Sequence, residues 1–574
     1  MSSHGSSDEK HAISHSVEKA PASPEVTLTS AGKAKKAKKE KVVHNAELYA
    51  AIQEANINPY SKESLKLYCQ FPVAVSVFIA FCCACANGYD GSLMTSIIAM
   101  KSYQAVFPVG DTGPLVSAIF SLYTVGAMVG APFAAILSDR YGRRVGMFCG
   151  GVVINIGMII ISTAMTTPQF IVGRFVLGLG IAVMTVAAPA YAIEIAPPHW
   201  RGRFAGFYNC GWFGGAIPAA IVTFGTNYMG NNWSWRVPLI LQSAACVLVM
   251  GAVWFLDESP RFLMANGREE EAIAFLVKYH GNKDPNSALV RLEVEEMREG
   301  IKLDGIDKVW WDYRPLFLTH NGRWRMAQVL MISIFGQFSG NGLGYFNTTI
   351  FRKLGVTEVP QQLGYNILNQ GISAIGALTA VTLTDKMPRR KVLIIGTTLC
   401  SFALAANSGL SAVIANQEAE RGEGNFDLSY GKGALASYFL FNVIFSFTYT
   451  PLQGVIPTEA LETTMRAKGL AASGFIVNAV SFINQFATPI ALGNIGYKYI
   501  FVFVGWDLFE ALMWYLFCVE SQGRTLEQLD WVYDQPNPVK ASLKVDKVVL
   551  ADDGTVIETA ARGISGNADR ADAI

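Results

Sequence analysis

Charge is what this chain of 574 residues has least of: 16% are Asp, Glu, Lys or Arg, against about 25% in soluble domains. With 51% hydrophobic residues and a mean hydropathy of +0.29, this scarcity excludes a single soluble domain. A net charge of +1 supplies no field to hold nucleic acid. Also missing are Gly-x-x-x-x-Gly-Lys-[Ser/Thr], Gly-x-Ser-x-Gly and His-Glu-x-x-His, so nucleotide-driven and hydrolytic enzymes lack their usual scaffolds. No stretch could fold as a nucleotide domain. The nine cysteines nearly all fall in or beside apolar runs. They read as small buried hydrophobes, not as a disulfide or zinc framework, and no metal or cofactor is implied. No apolar core precedes Phe71, which argues against a cleavable signal peptide.

What the chain has in quantity is apolar runs. Twelve lie near 71–95, 114–137, 145–165, 168–193, 205–228, 236–256, 325–350, 362–384, 391–414, 433–456, 468–493 and 497–518. Each is long enough for the ~20 helical residues that cross a ~30 Å hydrocarbon core, and helices satisfy their own backbone there. The predicted fold class is an all-α membrane protein of twelve transmembrane helices in two pseudo-symmetric six-helix halves. The halves span 67–256 and 325–518. A polar linker, 257–324, separates them, with surface helices at Glu269–Tyr279 and Leu289–Gly300. Polar tails at 1–66 (read as disordered) and 519–574 flank the bundle. Lys33 to Lys41 holds six lysines in nine residues, either a solvated tail or a contact with anionic lipid. Trp233, Trp235, Trp324 and Trp506 are expected at the membrane interfaces. Arginine and lysine crowd alternate loops: Arg140, Arg143 and Arg144, then Arg201 and Arg203, Lys386 to Lys391, and Arg466 and Lys468. The positive-inside rule then puts both termini in the cytosol.

The halves repeat. Asp139-Arg-Tyr-Gly-Arg-Arg144 returns as Asp385-Lys-Met-Pro-Arg-Arg390, at an offset of 246 residues. Glu194 and Arg201 return as Glu459 and Arg466, offset by 265, and Glu258-Ser-Pro-Arg261 returns loosely as Glu520 to Arg524, offset by 262. Such repeats mark a bundle that rocks about a substrate held between its halves. Asp139, Arg143, Arg144, Glu194, Arg201, Glu258, Arg261, Asp385, Arg389, Arg390, Glu459 and Arg466 are therefore expected to gate one face, against the plainer reading of positive-inside anchoring.

These elements resemble the sugar porter family of the major facilitator superfamily. So do Gly173-Arg-Phe-Val-Leu-Gly178 and Gln337-Phe-Ser-Gly340; together the matches cover about 70–535. More narrowly, Cys82 to Gly91, Tyr208 to Gly214 and Gly336 to Asn347 are similar to filamentous-fungal cellodextrin transporters and related lactose permeases. The resemblance implies a plasma-membrane importer of cellobiose or cellodextrins, with lactose as the other β-linked candidate, whose partners are the sugar, protons and membrane lipids. A porter-like sugar sensor and an uncoupled facilitator are the competing readings; the short tail after Arg524 and the charged pairs favour transport.

Asp90 follows an uncharged run from Phe71 to Tyr89. An ionised carboxylate in the membrane costs at least ~2.5–3.5 kcal/mol, so it needs a partner, and Arg174 is the obvious one. Either the pair exchanges a proton or it is a static ion pair between helices one and four. The resemblance favours coupling, because proton-coupled members carry Asp here. Neutral amides inside apolar helices suit sugar hydroxyls, though each could instead bridge two helices. Asn209, Gln337, Asn341, Tyr345, Asn347, Asn369 and Asn478 are the candidate substrate contacts. Relative to the family, Gly336 and Gly454 stand where larger side chains meet a monosaccharide, which implies room for a longer ligand. Asp507 and Glu510 have no counterpart in the family pattern and receive no role.

Overall fold

The computed structural model describes residues 71–543 apart from 111, 197–200, 282, 286, 288–289, 292, 296, 299–300, 302–313, 384–386, 423–424, 462–465 and 523–525, together with strands at 39–43, 546–550 and 556–560. The first half contains α1 (Phe71–Ile97), α2 (Pro114–Tyr141), α3 (Arg143–Ser162), α4 (Thr167–Glu194) and α5 (Arg201–Thr226). Its last helix, α6, is Trp233–Leu241 continued by Ser243–Ala252. The second half contains α7 (His320–Phe338), α8 (Val359–Leu383), α9 (Arg389–Arg421), α10 (Leu428–Ala460), α11 (Arg466–Asn494) and α12 (Lys498–Phe517). The linker helix Glu269–Tyr279 is present as expected. The second expected linker helix lies partly outside the described residues. So does the tail 1–66, except that Lys39–Val43 forms a strand, β1. It pairs antiparallel with β2 (Asp546–Leu550), which pairs with β3 (Val556–Ala560). Backbone pairing thus joins a segment of the first tail to two segments of the last.

Packing repeats as the sequence does. In the first half α1 lies on α5, and α4 lies between α2 and α3; in the second α7 lies on α11, and α10 lies between α8 and α9. The halves meet where α2 packs on α11 and α5 on α8, two contacts exchanged by the same six-helix shift. Small residues allow this closeness, as expected for helices that gain nothing from exchanging lipid for leucine. A Cβ on Gly215 of α5 would stand 1.8 Å from the carbonyl oxygen of Cys85 in α1.

Among the described residues, nine helices are long and apolar enough to span a membrane. The remaining three of the twelve, α5, α7 and α8, carry three of the six candidate amides, Asn209, Gln337 and Asn369. The run 325–350 is not one helix, contrary to expectation. α7 stops at Phe338, Gly340 takes φ 84°, and the chain resumes as short helices Asn341–Gly344 and Asn347–Lys353. Glycine alone adopts that backbone cheaply, and a Cβ there would also meet the Phe441 ring at 2.6 Å. The carbonyl of Gln337, near the break, accepts from Asn484 Nδ2 at 2.6 Å, which keeps it satisfied away from water. Two tryptophans also depart from expectation. Trp235 is fully buried against Tyr103 and Phe107, and Trp506 packs on Phe335 and Phe338 within the bundle.

Asp507 and Glu510 are fully buried in α12. Ser339 donates to Asp507 at 3.0 Å, and the Tyr449 hydroxyl donates to Glu510 at 3.0 Å. Tyr449 also meets Thr397 at 2.8 Å and accepts from Trp514 Nε1 at 3.3 Å. One phenol therefore ties α9, α10 and α12. Tyr449→Phe is expected to destabilise the protein by about 1–3 kcal/mol, the loss for a buried group left unpartnered. Thermal unfolding of the detergent-solubilised protein measures this; an unchanged midpoint would remove Tyr449 from the network.

Candidate functional site

One end of the bundle carries the arginine clusters, and there the repeat becomes geometry. Arg143 makes a two-pronged contact with Glu194, Nε at 3.1 Å and Nη2 at 3.0 Å; Ser259 donates to the same carboxylate. In the second half Arg389 Nη2 meets Glu459 at 3.0 Å, and Ser521 donates to Glu459 at 2.6 Å. Glu520 accepts the backbone N–H groups of Arg389 and Arg390, at 2.9 and 3.2 Å. Glu258 stands at the equivalent end of α3: a Cβ on Gly142 would lie 2.6 Å from its Oε2, and the N–H groups of Arg144 and Arg143 act on its carboxyl. Each of these carboxylates therefore closes the N-terminus of a helix, α3 or α9, where free N–H groups and the helix dipole favour an anion. Burial pushes the Glu258 carboxyl up from its ordinary value, while the N–H groups of Ser259, Arg144 and Arg143 oppose the shift. Arg144 caps the carbonyls of Val253 and Trp254, as Arg390 caps that of Tyr515.

These contacts tie helices of the same half together, so each half is stapled as a unit. Asp139 adds little: it bonds Arg143 at 3.0 Å but is 72% exposed, where such pairs are worth ~0–1 kcal/mol. Arg261 lies close enough to act electrostatically on Asp139. Asp385 and the side chains of Arg201 and Arg466 lie outside the described residues.

Toward the opposite end, Arg174 Nη1 meets Asp90 Oδ1 at 2.6 Å, with both side chains at most 3% exposed. Gln242 of α6 donates to the same oxygen at 3.0 Å. The Arg174 guanidinium lies 4.7 Å from the centre of the Tyr123 ring, and Tyr123 donates to Asn87 at 3.0 Å. Asp90 Oδ2 has no hydrogen-bond partner among the described residues. Asp90 and Arg174 line a cavity of about 30 Å³ with Trp212 of α5, Tyr345 and Gln485 of α11. That volume holds one or two water molecules, each needing at least ~10–15 Å³, so the halves must part before a sugar enters.

Around this cavity the halves are joined at the end away from the arginines. Thr95 donates to the Tyr345 carbonyl at 3.0 Å, and Thr348 donates to the Thr95 carbonyl at 2.8 Å. Asn366 reaches Ser96 at 3.1 Å, Thr124 donates to Gln485 at 2.8 Å, and the Phe120 and Phe346 rings touch at 4.7 Å.

Of the candidate substrate contacts, Tyr345 stands at this cavity. Asn209 reaches across the halves to the carbonyl of Thr450 at 3.4 Å. Gln337 is spanned by Asn341 at 2.9 Å and Ser481 at 3.0 Å, both donating to its Oε1. Asn369 is buried with Oδ1 unpartnered. Asn347 is committed elsewhere: it donates to Asn366 at 3.2 Å and accepts from Tyr438 at 2.6 Å, a bridge inside the second half. Asn478 bonds back to its own helix at Gly474. Gln242, Tyr123, Gln485, Asn87 and Trp212 escaped the sequence reading. Gln242 was legible as the one amide in an otherwise apolar run; for Tyr123 and Trp212 no linear signal separates a site aromatic from packing. The vacancy expected at Gly336 is filled, because a Cβ there would stand 2.1 Å from Nε2 of Gln453.

A family profile described as "Sugar (and other) transporter" matches residues 75–533. An MFS-type transporter of Aspergillus cristatus, criB, is 26% identical over 83% of this chain and 96% of its own length. The high-affinity glucose transporter of Kluyveromyces lactis is 27% identical over 82% and 87%, and the quinate permease of Neurospora terricola 27% over 83% and 90%. Among solved structures, the proton:xylose symporter XylE aligns with a TM-score of 0.66 at 20% identity, over 80% of this chain and 98% of its own. Its inward-open form, from E. coli, aligns with a TM-score of 0.61 at 20% identity, over 80% and 99%.

If Glu258 and Glu520 cap equivalent helices in separate halves, Glu258→Ala and Glu520→Ala should each destabilise by about 0.5–2 kcal/mol, the range for a lost N-cap. Their costs should add, since they share no partner. Thermal unfolding of the singles and the double mutant tests this; strong non-additivity would mean that the clusters meet across the halves.

Proposed function

The chain belongs to the sugar (and other) transporter family of the major facilitator superfamily, and from that premise we propose that it imports cellobiose or a short cellodextrin, a β-linked ligand class that includes lactose, in symport with protons. The plasma membrane is the proposed location, with both termini cytosolic. The observation that carries the reading is the buried Asp90–Arg174 pair, with its unpartnered oxygen, beside a cavity that lies between the halves. The relatives are named for glucose, quinate and xylose, each a molecule bearing several hydroxyls. The local likenesses at 82–91, 208–214 and 336–347 support the narrower, β-linked substrate.

The mechanism follows from which contacts lie where. Each half is stapled at its arginine end, so it moves as a body. With that end facing the cytosol, the closed end faces outward, and opening it breaks the Thr95, Thr348, Asn366 and Thr124 contacts. Sugar then enters between α5, α7, α10 and α11. Asp90 is the proton carrier: its carboxylate is held by one cation, keeps one oxygen unpartnered among the described residues and lines the cavity between the halves. Arg174 is the positioning group. Gln242 and Tyr123 hold the carboxylate and the guanidinium so that a movement of α4 against α1 changes their separation. One proton crossing the membrane potential supplies ~2.3 kcal/mol per 100 mV.

Two outcomes are expected. Asn209→Ala and Gln337→Ala should raise the KM for cellobiose uptake at unchanged surface expression, since each removes a bond worth about 1–3 kcal/mol; wild-type kinetics in both would take these residues out of the site. Asp90→Asn should abolish accumulation against a gradient, because a carboxamide cannot change protonation, while counterflow of labelled sugar persists. Sugar-induced alkalinisation of weakly buffered medium, with and without a protonophore, measures the coupling. A wild type that alkalinises nothing is a facilitator with a structural Asp90–Arg174 pair.

A further inference from the structure

We propose that Gln453 of α10 is a sugar-contacting amide of this transporter and that Gly336 of α7 is glycine in order to seat it. The inference rests on the reading of the substrate as a sugar. A Cβ on Gly336 would stand 2.1 Å from Nε2, 2.9 Å from Cδ and 3.1 Å from Cγ of Gln453. The carboxamide thus occupies the space beside α7 that a side chain at 336 would claim. Gln453 is half-buried, and its carboxamide makes no hydrogen bond among the described residues. A partly buried amide without a partner carries a desolvation cost, which a ligand that supplies hydroxyls would remove.

Its neighbours say what that ligand meets. Thr450, one helical turn before Gln453, is where Asn209 crosses from the first half. Gln337 follows Gly336 directly, and its Oε1 is already occupied by Asn341 and Ser481. Gln337 therefore has N–H groups left to give but a saturated acceptor. Gln453 has both an acceptor and two donors free. Adjacent sugar hydroxyls each donate and accept, so Gln453 provides the acceptor that Gln337 cannot. It is a specificity residue contributed by α10, in a position that α7 makes available by having no side chain.

The test is initial-rate uptake of labelled cellobiose, lactose and glucose by non-growing cells, with surface level followed by a fluorescent tag. Gln453→Ala and the similarly long but apolar Gln453→Met should raise KM about tenfold or more, the consequence of losing one or two hydrogen bonds to a ligand, with maximal velocity per surface molecule within about twofold. Gly336→Ala should do the same, because its methyl displaces the carboxamide. The Gly336→Ala/Gln453→Ala double mutant should be no worse than Gln453→Ala, since both act on one contact. Surface-expressed Gln453→Met with wild-type KM overturns the assignment, as does a double mutant whose effects multiply. A wild type that takes up none of the three sugars overturns the sugar reading itself, and this assignment with it.

Discussion

A charge buried among apolar helices must be matched by a partner from the protein, and the Asp90–Arg174 contact is where that constraint is most severe. Both side chains are almost completely enclosed, and breaking a buried pair costs about 3–5 kcal/mol. The arrangement around it follows. Gln242 comes from α6 and Tyr123 from α2, and the backbone of Ile119 accepts from Arg174 Nε at 3.4 Å. Four helices of the first half are thereby fixed around one ion pair, which sits against the seam with the second half. A structural necessity of the first half is thus placed where it can respond to the second.

The second half satisfies the same constraint differently. Its buried carboxylates, Asp507 and Glu510, receive hydroxyls from Ser339 and Tyr449. They tie α12 to α7 and α10 within one half, whereas Asp90 adjoins the cavity between halves. This difference separates an internal brace from a group that can take part in coupling, even though both are acids within apolar helices.

Division of labour along the membrane normal gives the molecule its mechanics. At the arginine end, carboxylates close helix N-termini and bind arginines of the same half. At the other end, hydroxyls and amides reach across the seam in single bonds. A typical hydrogen bond contributes only ~0.5–1.5 kcal/mol net, so a handful of them can hold the seam closed and still release it. Rigid halves joined by weak, numerous contacts are what a rocking movement requires.

The sequence by itself determined the twelve helices, the six-plus-six division and the pairing of Asp90 with Arg174. Apolar length, repeated charge clusters and the cost of a lone buried charge are local or one-dimensional signals. It also marked Glu258 and Glu520 as equivalent, though not as helix caps. The break in α7 was written in Gly340 but read as continuous, because apolar length alone does not register φ. Tertiary structure decided what linear order cannot carry. It committed Asn347 to a bridge with Tyr438 and turned Asn478 back on its own helix. It also brought Gln485 and Trp212 to the cavity and filled the space over Gly336 with a side chain from α10. An amide in an apolar helix announces that it must have a partner; only the packing of the neighbouring helices determines whether that partner is protein or ligand.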